Sequence, residues 1–365
     1  MEGGLNRQAT TEYIEGLFAD RDALVDAIVA DGWPQEMARA GLRLHRQTWD
    51  VDRLAEAVDA ELSAVVPSPR HRIVWPSRVH HIWPAMPGAG ITPVLVGMLL
   101  GIEQRVRPSS RGRNVAAYAA RSAPWELIEP GGGWEDADLV VVSGTDETVR
   151  SVRETMAGRG RVVGYDHRVS FTVVDDAEQV DLEEVAGAVG RDVVMWHQQG
   201  CFSTRAVLFC GPVGRRREFA RLLAAAIAKW EETWGAEEVD EASAAERAQA
   251  MGVAQMQGEV FCEGVGFVAL TEEAFDGRRP SIHSVTVHPV EGPEGLDEAV
   301  GVPGGDLQAA ALGGGGRRRG EWVEALCQLG VTRICAVGRL QAPPADWWHD
   351  GWANALSWGR VVTIG

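Results

Sequence analysis

The sequence predicts an α/β fold, and three observations lead to this prediction. Short runs rich in valine and other strand-forming residues, such as "LVVVS" and "RAVLFC", recur along the chain. Between them lie longer stretches whose apolar residues follow the helical period. Residues 137–166 contain a strand, a small-residue turn, a charged helix and a second strand, which together form a βαβ unit. Hydrophobic residues make up 45% of the 365-residue chain, enough for two domains or one large one.

The first third of the chain is expected to begin with helices. In residues 1–66, "YIEGLFADRDALVDAIVADG" and "VDRLAEAVDAELSAVV" place apolar residues at the helical period. The runs "HRIVW" and "RVHHIWPAM" then predict short strands. An apolar helix is expected to end at Leu100, with Thr92 as its N-cap and Pro93 at its first position.

The remainder of the chain continues to alternate strand and helix. Strands are predicted in "SFTVV", "DVVMW" and "RAVLFCG", and a helix is predicted from Arg215 to Trp234. The alternation continues in "FVALTEE", "SVTVHPV", "GEWVEALCQLG" and "TRICAVG". We find no internal repeat, so a repeat architecture is not expected.

Charge and composition exclude several classes of protein. The net charge of -17 argues against a nucleic-acid-binding surface and against binding to an anionic membrane. No apolar segment is long enough to span a bilayer, and the first residues are too polar for a signal peptide. A cytoplasmic location is therefore expected. A small anionic ligand in a local basic pocket remains compatible with the charge.

Cys201 is the candidate nucleophile. It lies in a short polar turn, "QQGCFST", between two apolar runs, whereas a structural thiol would be expected inside one of the runs. Backbone N–H groups of such a turn can favour the reactive thiolate. An ordinary loop cysteine is the open alternative at this point.

The other cysteines are predicted to be buried core thiols, because each lies in an apolar strand or helix pattern: Cys210, Cys262, Cys327 and Cys335. An odd number of cysteines without a CxxC pair argues against a disulfide framework and a zinc knuckle. Lys229 is the only lysine and lies in a predicted helix, so the chain has no Walker lysine.

Two segments have the composition of phosphate-binding sites. Ser143, Gly144 and Thr145 end a predicted strand and enter a helix, where N–H groups can face an anion, although a plain turn has the same pattern. The segment "PGAG" lacks the third glycine of a dinucleotide fingerprint. A group of arginines follows the "PGAG" segment. One arginine side chain can bind two phosphate oxygens at once, although a solvated loop is the alternative. Its members are Arg105, Arg107, Arg111 and Arg113.

Two histidine pairs are not predicted to bind metal. An odd spacing on a straight strand places His283 and His288 on opposite faces, and the adjacent His80 and His81 also diverge.

Several segments, taken in order, resemble the LuxC-like acyl-thioester reductases, the fatty-acid-reductase branch of the aldehyde dehydrogenase superfamily. "QQGCFSTRAVLF" resembles the nucleophile segment of that family. "IWPAMPGAGITPVLVGMLLG" with "VRPSS" is similar to the segment leading into its cofactor loop, and "SGTDETV" to its turn under the cofactor phosphates. "GYDHRVSF" and "GVTRICAVGRLQAPPADWWHDGW" resemble two later segments. The resemblance runs from about Ile73 to the end of the chain.

The resemblance implies an aldehyde-dehydrogenase-like α/β fold with two Rossmann-like lobes and an active-site cleft between them. The expected parts are an N-terminal helical segment at 1–72, a cofactor lobe at 73–190, a catalytic lobe at 191–345 and a C-terminal tail at 346–365 that packs on the cofactor lobe. In this family Cys201 would attack an acyl thioester, and NADPH would reduce the resulting acyl-cysteine to an aldehyde.

The resemblance also assigns roles to other residues. The segment Arg107, Pro108 and Ser109 would line the adenosine end of the cofactor, with Arg107 favouring the 2′-phosphate of NADP. Ser143, Gly144 and Thr145 would face the pyrophosphate, and His167 would assist proton transfer, with a surface histidine as the alternative.

Two departures from the superfamily affect the reaction. The oxyanion-hole asparagine is missing, with Met86 or a neighbour in its expected place, and the glutamate that activates water has no match in "GYDHRVS". The loss of the glutamate suits reduction. We therefore expect an NADPH-dependent acyl-thioester reductase, with coenzyme A or an acyl carrier protein as the thioester donor and a homo-oligomer as one allowed state. The alternatives are an acylating aldehyde dehydrogenase running towards the thioester and a cysteine acyltransferase without hydride transfer.

Overall fold

The computed structural model describes residues 5–65, 70–128, 133–134, 136–235 and 241–365. The chain forms two compact units. Unit 1 comprises residues 1–167 and 344–365, and unit 2 comprises residues 168–343. None of the helices in these ranges combines the length and the apolar composition that a bilayer crossing requires.

Unit 1 begins with four helices, and strands and helices then alternate. The helices are α1 (Arg7–Ala19), α2 (Arg21–Ala30), α3 (Gln35–Thr48) and α4 (Val51–Ser63). They are followed by β1 (His71–Val74), β2 (Arg78–Ile82), α5 (Ile91–Leu99), β3 (Glu103–Arg107), α6 (Arg113–Ala120), β4 (Glu126–Leu127), β5 (Leu139–Ser143), α7 (Asp146–Met156) and β6 (Arg161–Tyr165).

The main sheet of unit 1 is parallel, with strand order β4-β3-β2-β5-β6. From β2 the chain adds β3 and then β4 on one side, and it then crosses over to add β5 and β6 on the other side. The strand order therefore reverses between β2 and β5. In open α/β sheets, ligands bind beside the carboxyl ends of the strands at such a reversal. The reversal therefore marks the edge of unit 1 at which a cofactor site is expected.

Unit 2 contains strands β7 to β13 and the helices between them. Its elements are β7 (Val169–Asp175), α8 (Leu182–Val194), β8 (Thr204–Cys210), α9 (Val213–Trp234), α10 (Glu241–Gln257), β9 (Val260–Phe261), β10 (Val268–Leu270), β11 (Val285–Pro289), α11 (Leu296–Ala299), β12 (Leu307–Gly314), α12 (Arg319–Leu329) and β13 (Arg333–Ala336). The chain then returns to unit 1, where β14 (Arg360–Thr363) pairs antiparallel with β1.

The seven-stranded sheet of unit 2 has the order β13-β12-β7-β8-β11-β10-β9. All neighbouring pairs are parallel except β9 and β10. Strands β7 and β8 are almost entirely buried, as expected for central parallel strands covered on both faces. Their inward residues, such as Phe171 and Leu208, pack with Trp322 and Leu326 of α12 in one apolar core.

The division of the chain differs from the one expected from the sequence. Residues 168–190 were expected in the cofactor lobe, but they belong to unit 2. The reason is strand pairing: β7 lies between β8 and β12, and Val173 pairs in register with Leu208 on one side and Leu312 on the other. The sequence pattern identifies β7 as a strand but carries no information on its neighbours.

Two local predictions are wrong. Helix α5 begins at Ile91 after Gly90, and Thr92 is not its N-cap. Gly90 adopts helical angles and lies against the ring of Trp83, where a β-carbon would overlap it. The run "DVVMW" is not a strand, because it ends α8 and enters a short 3-10 turn. This helix end is buried on all sides, so its sequence lacks the polar face that distinguishes a helix from a buried strand.

Candidate active site and cofactor site

Cys201 lies in a tight turn at the amino end of β8. The N–H of Ser203 donates to the carbonyl of Gly200 over 3.0 Å and closes the turn around it. The Cys201 carbonyl accepts a 2.7 Å hydrogen bond from Ser170 Oγ on the neighbouring strand β7. The residue is partly exposed. The turn thus fixes the backbone of Cys201 while the residue remains accessible to solvent. A helix precedes this turn, in place of the strand predicted from the sequence.

The backbone immediately before this turn is strained. Trp196, His197 and Gln198 have φ angles of 53°, 51° and 57°, in the left-handed region that residues with a β-carbon avoid. Each such residue costs about 1 kcal/mol or more and persists only where its surroundings hold it. Strain of this kind clusters at functional sites, so it supports a functional role for the turn that follows.

Two arginines lie beside the nucleophile turn within unit 2. Arg279 Nη1 donates to the carbonyl of Gln198 over 3.2 Å, and Arg205 Nη1 donates to the carbonyl of Gly277 over 3.3 Å. Arg205 Nε is buried without a hydrogen-bond partner among the described residues. Burial, and then the charge of Arg279, lower the pKa of Arg205, whereas negative charge on Cys201 raises it.

The guanidinium of Arg205 is therefore electrostatically coupled to the Cys201 thiol. A cation at this position favours the thiolate, which is the nucleophilic form of cysteine. No sequence pattern distinguishes Arg205, although it lies only four positions after Cys201. Its lack of a carboxylate partner in the described parts of unit 2 is visible only in three dimensions.

The prediction that the other cysteines are core thiols is wrong for two of them. Cys210 is buried, and burial raises its pKa. Cys335 is partly buried, and burial raises its pKa to about 11. Cys262 and Cys327, however, are exposed, because Cys262 follows a two-residue edge strand and Cys327 lies on the outer face of α12. Exposure alone therefore does not distinguish Cys201.

The predicted cofactor residues lie at the carboxyl edge of the unit 1 sheet. Arg107 ends β3 and pairs in register with Ile82 of β2, and Ile82 pairs on its other side with Val142, next to Ser143. The structure thus brings Arg107, Pro108 and Ser109 to the same edge as Ser143, Gly144 and Thr145, on either side of β2. This edge includes the reversal in strand order.

The Arg107 segment has the polar groups that a nucleotide requires. The N–H of Ser109 donates to the carbonyl of Trp83 over 3.1 Å, which fixes the loop after β3. Ser109 Oγ is buried and has no partner among the described residues. The guanidinium of Arg107 lies 4.8 Å from the ring centre of Trp134, whereas Arg105 is held in ion pairs with Glu126 and Asp136. Of these two arginines, Arg107 is the one without a carboxylate partner in the described ranges and could hold a phosphate.

The Ser143 segment is partly occupied by its own contacts. The N–H of Gly144 donates to Tyr165 O over 3.1 Å, and Thr145 Oγ1 caps α7 by accepting from the Thr148 N–H. His167 follows β6 at the same edge, is exposed, and donates its N–H to Asp146 Oδ1 over 2.9 Å. Cys201 belongs to unit 2, so neither unit alone brings His167 and Cys201 together.

No group of His, Cys, Asp and Glu side chains in the described ranges has the arrangement of a metal site. His283 precedes β11 and His288 lies within it, and each makes its own separate hydrogen bonds.

The sequence profile of the LuxC acyl-CoA reductases matches residues 133–357. No curated protein matches by sequence.

Solved structures with a similar fold include aldehyde dehydrogenases. An oxidoreductase from Marinobacter aquaeolei is 13% identical with a TM-score of 0.73, covering 98% of this chain and 85% of that one. A Cys-to-Ala mutant of aldehyde dehydrogenase C from Pseudomonas syringae, bound to NAD+ and octanal, is 14% identical with a TM-score of 0.71, covering 98% and 84%. An NAD-dependent benzaldehyde dehydrogenase from Corynebacterium glutamicum is 15% identical with a TM-score of 0.70, covering 98% and 84%. These similarities confirm the predicted aldehyde-dehydrogenase-like fold.

Proposed function

The chain belongs to the LuxC acyl-CoA reductase family, and we propose that it reduces an acyl thioester to an aldehyde with NADPH, through an acyl group carried on Cys201. Family and fold together make it an oxidoreductase of acyl and aldehyde groups that uses a nicotinamide cofactor. The observation that supports the covalent route is the placement of Cys201 in a tight, partly exposed turn beside the guanidinium of Arg205, which has no carboxylate partner in the described ranges.

The chain's own residues account for the bond changes at the acyl carbon. The Cys201 thiolate attacks the thioester carbonyl, the carrier thiolate leaves, and an acyl-cysteine remains. A bound NADPH would supply the hydride to the acyl carbon. The resulting thiohemiacetal oxyanion on Cys201 re-forms its C=O bond, the C–S bond breaks, and the aldehyde leaves as the Cys201 thiolate is restored, while the departed carrier thiolate takes up one proton. Arg205 favours the thiolate before attack, and turn N–H groups can stabilise negative charge on the acyl oxygen.

The residues of unit 1 fit a dinucleotide phosphate at the carboxyl edge of its sheet. The Ser109 hydroxyl, which has no partner among the described residues, and the Arg107 guanidinium would hold the adenosine end, because Arg107 ends β3 and Ser109 lies in the loop that follows it. Pro108 is buried and keeps this loop close to the sheet. Ser143 would add a hydroxyl at the pyrophosphate, whereas Gly144 and Thr145 would shape the turn.

Arg107→Ala should weaken NADPH binding about tenfold or more while changing NADH binding little, because arginine pairs bidentately with the 2′-phosphate that only NADPH carries. Fluorescence titration of both cofactors measures this. Arg111→Ala is the matched control, since Arg111 is an exposed arginine of the same loop. Equal affinities of the wild type for NADH and NADPH would contradict the proposed cofactor preference.

His167→Ala should lower turnover about tenfold or more and leave NADPH affinity nearly unchanged, because a general acid or base typically contributes at least that much. Steady-state rates and cofactor titrations on the same preparation provide both measurements. A turnover equal to that of the wild type would show that His167 is a surface histidine.

A screen of acyl thioesters on coenzyme A and on a carrier protein tests the whole proposal. The expected result is consumption of NADPH with one aldehyde formed per cofactor oxidised, detected by mass spectrometry. Acyl transfer to a second thiol or alcohol without cofactor consumption would instead favour the cysteine acyltransferase. The missing oxyanion asparagine is the sequence feature that supports this second candidate, since losing such a donor costs about a hundredfold in rate.

A further inference from the structure

Three buried side chains form a hydrogen-bonded series that leads from the interior of unit 2 to the nucleophile turn. Glu231 Oε1 on α9 lies 2.7 Å from His283 Nδ1. His283 Nε2 lies 3.3 Å from His197 Nδ1, and the two rings stack with centroids 5.4 Å apart. Exposed fractions are 4% for Glu231, 0% for His283 and 4% for His197. His197 is four residues before Cys201.

Glu231, the member of this series farthest from the nucleophile turn, accepts hydrogen bonds on both carboxylate oxygens. Glu231 also accepts from the N–H groups of Val265 over 2.8 Å and Gly266 over 2.9 Å. Glycine is required at Gly264 and Gly266, because a β-carbon at either position would overlap Glu231 or the His283 backbone. The loop thus approaches closely enough to surround a charge that would otherwise be costly to bury.

Glu231 determines which nitrogen donates and which accepts at each hydrogen bond of this series. A carboxylate only accepts, so His283 Nδ1 carries the proton shared with Glu231. In the neutral ring, His283 Nε2 is then an acceptor, and His197 Nδ1 must donate to it. Glu231 therefore sets the tautomer of His197 through His283 and leaves Nε2 of a neutral His197 ring as an acceptor.

His197 is also the central residue of the strained segment. Gln198 Nε2 donates to the carbonyls of Thr204 over 2.9 Å and Ser284 over 3.1 Å. Arg279 donates to the carbonyl of Gln198, and His283 holds the His197 ring. The side chains of Gln198, Arg279 and His283 therefore hold a conformation that the backbone itself disfavours.

We infer that Glu231 and His283 are positioning residues that act through His197 to hold the Cys201 turn in its reactive conformation. The inference rests on the proposed role of Cys201 as the nucleophile. This role would explain why the strained backbone conformation is kept and why His283 is buried next to His197. The sequence pattern around His283 does not indicate a function. Removing either residue releases His197, and the strained segment can then relax and displace the thiol.

The test is the alkylation rate of Cys201 by iodoacetamide, followed by peptide mapping, because it needs neither substrate nor cofactor. Glu231→Gln and His283→Asn should each slow the reaction at Cys201 about tenfold or more, the scale expected for misplacing a reactive group. Alkylation of the exposed Cys327 in the same molecule provides an internal reference and should not change. Glu231→Asp, which keeps the charge, should restore part of the rate.

Two matched controls separate positioning from stability. His288 is a buried histidine on β11 with its own hydrogen bonds to Glu273 O and Thr286 Oγ1, and Glu232 is the exposed neighbour of Glu231. His288→Asn and Glu232→Gln should leave Cys201 reactivity near the wild-type value, whatever their effect on Tm. If His283→Asn does not fold, Glu231→Gln, which keeps the size of the side chain, provides the test.

Wild-type alkylation rates in both Glu231→Gln and His283→Asn, or an equal loss in His288→Asn, would overturn the inference. If the wild type reduces no thioester but Glu231→Gln and His283→Asn still slow alkylation of Cys201, the proposed function is contradicted and the positioning role stands.

Discussion

Cys201→Ala is expected to abolish both formation of the acyl-enzyme and release of aldehyde. A thioester offered to the wild type without NADPH should leave one acyl group on Cys201, and NADPH should then discharge it as aldehyde. The variant should still bind NADPH, because the proposed phosphate-binding residues lie in unit 1 and Cys201 lies in unit 2. Cys201→Ser should fold normally and react far more slowly, since a serine hydroxyl is hardly ionised at neutral pH without a dedicated base.

Intact-protein mass spectrometry with peptide mapping distinguishes this result from labelling of other thiols. Cys262 and Cys327 are exposed and can acquire an acyl group nonspecifically. The matched control is therefore the double variant Cys262→Ala and Cys327→Ala, which should retain full reductase activity and a single acyl group on Cys201. Discharge by NADPH separates the catalytic adduct from a bystander. Full activity in Cys201→Ala would exclude the mechanism.

Much of the fold can be predicted from the sequence because its signals are local. The βαβ unit at residues 137–166 is realised as β5, α7 and β6, since apolar residues on one face of α7 pack on Val140 and Val142 of β5. The position of the candidate nucleophile is equally local, because a polar turn before a buried strand needs only about ten residues of sequence. The resemblance to the LuxC-like reductases rests on the order of such local segments.

The parts that sequence reasoning missed depend on contacts between distant residues. Glu231 and His283 are separated by 52 positions and His283 and His197 by 86, and no periodicity links them. The exposure of Cys327 follows from which face of α12 turns outward, and its apolar neighbours in sequence do not determine that. Strand partners, such as the position of β7 between β8 and β12, are likewise a property of the assembled sheet.

Arg205→Met is expected to change stability and reactivity in opposite directions. The Arg205 guanidinium is half-buried, lies near the like charge of Arg279, and has a pKa below the usual arginine value for these reasons. A folded-state pKa that is lowered for a base means that folding disfavours the charged form, so at neutral pH the charge destabilises the fold. Replacing it with an apolar side chain of similar length should raise the free energy of unfolding by about 1 kcal/mol.

The same substitution should slow alkylation of Cys201 about tenfold at neutral pH, because it removes the cation that favours the thiolate. Anionic iodoacetate should be affected more than neutral iodoacetamide, since it also loses the attraction of the guanidinium. Arg278→Met is the matched control, because Arg278 is an exposed arginine next to Arg279 in sequence and should alter neither quantity. Urea denaturation and the two alkylation rates measure the outcome. A variant that loses stability and keeps its reactivity would mean that Arg205 is a structural residue. A gain in stability with a loss of reactivity would show that the fold retains a destabilising charge because the nucleophile needs it.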